Sequence, residues 1–162
     1  MTVNTNTDIS VFAVANTFIK LENERGNYNE LTNLKLQKLC YFAQAYTIVS
    51  KDTFLFYNKI CAYPYGPVIK DLYDKLKLND KYKSYTQEIY SNSSNSNRNE
   101  KALDLNSPYF VIIEKVYEQF ASMDPWVLSQ ITHQPGTPWS IAKSKKGIYS
   151  EITKQDILQY YR

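Results

Sequence analysis

The chain holds few residues able to do covalent or metal chemistry. It has one histidine, His133, and two cysteines, Cys40 and Cys61. A metal site built on two or more histidines is therefore excluded. The four glycines stand singly at positions 26, 66, 136 and 147, so no glycine-rich phosphate loop exists. No Gly-x-Ser-x-Gly elbow or Cys-x-x-Cys pair occurs. A Cys40–His133 nucleophile pair is conceivable, but Cys40 falls in the most apolar part of the chain, where a thiolate is disfavoured. The expectation is a protein that is not an enzyme and uses no metal or cofactor.

Three stretches do concentrate unusual residues. The first is Lys35-Leu36-Gln37-Lys38 with Tyr41 one turn on, and the second is Tyr63-Pro64-Tyr65-Gly66-Pro67-Val68. The third runs Thr132-His133-Gln134-Pro135-Gly136-Thr137-Pro138-Trp139. Each has a purely structural reading, as a helix start, a strand-to-helix turn and a helix-to-helix turn. His133 at a helix C-terminus suits the free carbonyls there, and Trp139 suits a core.

The elements that position these stretches are mostly helical. Residues 33–50 read as a central helix capped by Thr32 or Asn33. It is polar in its first turn and apolar almost all round from Leu39, the pattern of a helix buried on most sides. Before it, Asp8 or Ser10 caps a helix carrying Val11, Val14, Ala15 and Phe18 that stops at Gly26. After it, Phe54-Leu55-Phe56-Tyr57 and Ile60-Cys61-Ala62-Tyr63 read as short extended runs. Gly66 supplies a tight turn, and Pro67 is placed to open a helix with Ile69, Leu72, Tyr73 and Leu76 on one face. Leu103-Asp104-Leu105 reads as a short strand. Ser107-Pro108, Asp124-Pro125 and Thr137-Pro138 each pair a cap with a proline at a helix start. An extended edge is expected at 148–152, and Thr153 to Asp156 resembles a capping box before a last helix. The fold class expected is mainly α (α+β), about seven helices around the buried central helix with a small strand element.

At 162 residues the chain fits one domain. Residues 91–99 form a polar low-complexity tract, read as part of a flexible excursion at about 80–102. The net charge of +3 is spread evenly and gives little support for nucleic-acid binding; the lysines for that reading are Lys70, Lys75, Lys77, Lys81 and Lys83. Both cysteines read as free thiols. No signal sequence and no membrane span are legible, so a soluble, cytoplasmic protein is expected.

The same three stretches, in this order, resemble the Panacea domain. They are Leu36-Gln37-Lys38-Leu39 with Tyr41-Phe42-Ala43-Gln44, then Ala62 through Tyr65-Gly66-Pro67-Val68 to Tyr73, then Leu128-Ser129 to Thr132-His133 and Pro138-Trp139. The Panacea domain is the SocA-like family, which includes phage-associated GepA-like proteins. The match covers residues 9–145. It departs from the family pattern at Tyr63, where Trp is common, and at Pro135, where an acidic residue is frequent. The resemblance implies an antitoxin that neutralises a cognate protein toxin by direct binding. The SocA type also delivers its toxin to an AAA+ protease. The alternative is a phage or mobile-element effector that binds a host defence protein. On either reading the partner-binding surface would comprise Tyr41, Tyr65, Tyr73 and Trp139, with Lys35, Gln37, Lys38, Gly66 and His133.

Overall fold

The computed structural model describes residues 9–91 and 98–161. The alternative cap Asp8 and most of the polar tract (92–97) lie outside them. The described elements are α1 Val11–Arg25, α2 Asn33–Lys51, β1 Ile60–Tyr63, β2 Gly66–Ile69 and α3 Lys70–Leu76. A 3-10 turn at Arg98–Glu100 follows, then α4 Phe110–Phe120, α5 Pro125–His133, α6 Pro138–Lys146 and α7 Lys154–Tyr161. The class is mainly α, with a single antiparallel pair of strands among the described residues.

Local chemistry sets most of the helix ends. The Ser10 side chain accepts from the Phe12 amide, and α1 stops where Gly26 takes the left-handed conformation and donates its N–H to Glu22 O. Thr32, Asp124 and Thr137 cap α2, α5 and α6 through their side-chain oxygens. Thr153 and Asp156 cap each other's amides at 2.9 and 3.2 Å, a reciprocal box at the head of α7. Ser107-Pro108 is displaced from its expected place, since α4 begins only at Phe110 and the serine instead organises the turn before it.

The helix expected to open at Pro67 is a strand. Gly66–Ile69 pairs antiparallel with Ile60–Tyr63 around the two-residue turn Pro64-Tyr65, and the helix starts at Lys70. Pro67 lies opposite Ala62, whose own N–H and C=O are turned the other way, to Ser150 O and the Tyr149 amide. No ladder bond is asked of the position where proline has no N–H, so proline is tolerated there. The 148–152 stretch thus lies beside β1, with an isolated bridge from Glu151 to Cys61. Leu103 forms no strand, because its amide goes to Thr17 Oγ1. The run from Phe54 to Tyr57 also joins no strand. The Gln44 side chain takes the backbone there, accepting from the Leu55 amide at 2.6 Å and donating to Phe56 O at 2.5 Å.

Helix α2 is the centre of the packing, in contact with α1, α3, α4, α5, α7 and β2. Its Phe42 stacks on Phe120 of α4 with centroids 4.2 Å apart and rings within 10° of parallel, a pair worth about 1 kcal/mol beyond area burial. On α1, the fully buried Asn16 accepts from the Ile89 amide at 2.7 Å and donates to Ile89 O and Glu100 O at 2.9 and 2.8 Å. One side chain therefore ties both flanks of the polar tract to the core.

A clamped hairpin as candidate interaction site

The three residue-rich stretches meet at the β1–β2 turn. Four carbonyls between positions 63 and 67 each find a side chain from another element. Trp139 Nε1 donates to Tyr63 O at 2.7 Å, and Ser129 Oγ donates to Tyr65 O at 2.8 Å. His133 Nε2 lies 3.0 Å from Pro64 O, while its Nδ1 lies 2.5 Å from Ser129 O. Lys38 Nζ reaches Pro67 O at 3.5 Å, the long limit for a hydrogen bond. From α2, Gln37 Oε1 accepts from the Ile69 amide at 2.8 Å on the outer edge of β2. Side chains thus supply the hydrogen bonds that a short hairpin cannot make for itself.

Gly66 fits where no other residue does. Its φ is +116°, and a Cβ there would stand 2.8 Å from both Lys38 Cε and Thr132 Oγ1. The Trp139 ring packs on His133 with centroids 3.8 Å apart, and Lys143 Nζ sits 5.1 Å from its centre. His133 therefore sits inside this clamp, between Ser129 O and Pro64 O, where its N–H can donate to one of the two.

Several residues expected at a partner surface are interior. Lys35, Gln37, Lys38, Tyr41, Gly66 and Trp139 are all buried, because the hairpin and α4–α5 cover the first turns of α2. Lys35 Nζ donates to Ala121 O at the C-terminal end of α4, the favourable end of that dipole. Lys38 is 0% exposed with no carboxylate partner among the described residues, and desolvation lowers its pKa to about 7. Burial likewise lowers Lys35 and raises Tyr41. It also pushes the Cys40 thiol up, far from nucleophilic character.

What remains outside is aromatic. Tyr65 at the hairpin tip is 60% exposed and meets the 58% exposed Trp126 of α5 edge-on, centroids 5.6 Å apart. On the other side of the hairpin, the half-buried Tyr63 lies between Tyr73 and the exposed Tyr149, at 5.2 and 5.0 Å. Of the expected contact residues, only Tyr65 is well exposed; Tyr73 and His133 are half-buried. Trp126, Tyr149 and the clamping Ser129 were not among the expected contact residues, although Ser129 stands in one of the three stretches that carry the resemblance. Trp126 carried a usable signal, lying about 200° around α5 from the buried Leu128 at 3.6 residues per turn.

A family model described as antitoxin SocA-like, Panacea domain, matches residues 36–140. Those bounds take in most of α2, the hairpin, α5 and the start of α6, that is, every element of the clamp. No curated protein and no solved structure matches the chain significantly.

Proposed function

Because this chain belongs to the SocA-like antitoxin family, defined by the Panacea domain, we propose that it neutralises a cognate protein toxin by direct contact. The observation that carries this reading is the hairpin tip, held through its carbonyls and presenting Tyr65 beside Trp126. Aromatic side chains on a rigid support are the usual anchors of protein interfaces, since they bury large area with little conformational entropy to lose. On this reading the shared interior residues hold the tip and the exposed rings meet the toxin. The protein acts stoichiometrically and without catalysis.

The test is co-expression with the small gene adjacent to its own. Neutralisation of a product that is toxic alone, together with a stoichiometric complex on copurification, supports the reading. Recovery of a host defence protein in place of a small toxin replaces it with host inhibition. Delivery to a protease is scored in the same cells by toxin half-life with and without the chain.

A further inference from the structure

We infer that the hairpin tip is a proton-operated lid over Lys38. It opens locally when the amine takes up a proton, and it closes, seating Tyr65 beside Trp126, when the amine is neutral. The biological consequence rests on the antitoxin reading, to which the lid adds a way of regulating the same surface.

The cover over Lys38 is thin at the hairpin. Lys38 is 0% exposed, yet the turn residues Pro64 and Tyr65 are exposed, and Gly66 beside them is buried against the lysine. A Cβ on Gly66 would stand 2.8 Å from Lys38 Cε and 3.2 Å from Nζ. Backbone with no side chain is what covers the amine on this side.

The closed site suits an amine and not an ammonium. An ammonium has three N–H donors, and among the described residues Nζ meets one acceptor, Pro67 O at 3.5 Å. No opposite charge compensates it there. The hairpin from Ile60 to Ile69 holds no charged residue, and α5 brings only His133. Glu114 and Glu118 of α4 pair with Arg25, and Asp124 acts on Lys35. Tyr41, one turn on along α2, meets Tyr161, and Lys143 of α6 lies over Trp139. Burial alone sets the preference, holding the Lys38 pKa at about 7 against an ordinary 10.5.

The tip can give way without the core. Trp139 Nε1 on Tyr63 O, Ser129 Oγ on Tyr65 O and His133 beside Pro64 O hold it, whereas Ile60, Ala62 and Ile69 at the base belong to the hydrophobic core. Lifting residues 64–67 breaks those few bonds and gives Nζ water, a local opening of the kind that precedes global unfolding. Opening exchanges an amine that binds a proton weakly for one that binds it normally. Between about pH 10 and 7 the open fraction therefore rises about tenfold for each unit the pH falls. It levels off below about 7, where the closed site also takes the proton. His133 acts with the opposite sign, since a second ring proton lets it donate to both Ser129 O and Pro64 O, which tightens the tip.

Hydrogen exchange of the two indole N–H groups in the full chain tests the lid. Trp139 Nε1–H is bonded to Tyr63 O and exchanges when the tip lifts; Trp126 is exposed and gives the free rate at each pH. The Trp139 rate divided by the Trp126 rate is expected to fall about tenfold per unit from pH 7 to 9, with the α2 amides far slower throughout. In Lys38→Met, which keeps the side-chain length without the charge, the ratio is expected to be low and flat. A flat ratio in the unaltered chain overturns the inference with no variant needed. A slope that persists in Lys38→Met overturns it too, as does α2 exchanging as fast as the tip, because the opening is then global. Normal toxin neutralisation by a chain with a flat ratio leaves the antitoxin reading standing and the lid refuted. A slope that Lys38→Met abolishes, with no toxin found, does the reverse.

Discussion

Gly66 lies directly over Lys38, so that a methyl group on the glycine would stand 2.8 Å from the lysine Cε. This contact joins the hairpin tip to the central helix. It explains why a positive-φ glycine and a fully buried lysine occur together.

Gly66→Ala therefore meets two costs. The residue must keep φ near +116°, and its Cβ collides with Lys38 and Thr132. Backbone strain and overpacking each cost about 1–3 kcal/mol. A urea-denaturation midpoint lowered by an equivalent of about 3 kcal/mol is expected. A change below about 0.5 kcal/mol, the level of an ordinary surface substitution, would show that the clamp is loose.

Lys38 makes stability depend on pH. Its pKa falls from 10.5 when unfolded to about 7 in the fold, because burial disfavours the ammonium. Between those values the unfolded chain binds more protons, so stability rises with pH, most clearly from 7 to 9. At about 1.4 kcal/mol per pH unit the full effect approaches about 5 kcal/mol. Lys38→Met should flatten that slope in denaturation curves collected at several pH values. Lys35, also lowered by desolvation, contributes a residual slope of the same sign. An unchanged slope in Lys38→Met would mean that the ammonium is solvated.

Trp139→Phe keeps a ring packed on His133 but removes the donor to Tyr63 O. Losing this part-buried hydrogen bond, with Tyr63 still paired to Gly66 across the turn, costs about 1 kcal/mol. The same variant leaves Trp126 as the only indole, so its fluorescence should be that of an exposed tryptophan. A blue-shifted, quencher-resistant emission would place Trp126 inside.

Asn16→Leu tests how the polar tract is anchored. It removes three bonds to Ile89 and Glu100 from inside α1. Faster hydrogen exchange at the Ile89 amide and its neighbours is expected, with the amides of α2 slowed or unchanged relative to global stability. Uniform acceleration across α2 would mean that Asn16 supports the whole core rather than this excursion.

Much of the fold was legible because its signals are local. Asp124-Pro125, Thr137-Pro138 and Thr153 with Asp156 fix helix starts within a few residues, and the apolar run from Leu39 marks the buried helix. Pro67 misled because its N–H-free position is equally suited to a helix start and to a strand residue outside the ladder; only the pairing with Ala62 decides. The site was half legible. The three stretches do converge, but Lys35, Gln37 and Lys38 read as polar and exposed when each serves a backbone group inside. Long-range partners of that kind leave no periodic trace in a sequence.

The most direct measurement is neutralisation by the Tyr65→Ala/Trp126→Ala double variant, in cells co-expressing the toxin that the proposed function calls for, with the melting temperature measured in parallel. Both side chains are largely solvent-exposed, so the fold should melt within a few degrees of the unaltered chain. The account predicts that toxicity returns while stability holds. Full neutralisation by a stable double variant would contradict it, and would move the toxin contact away from the hairpin.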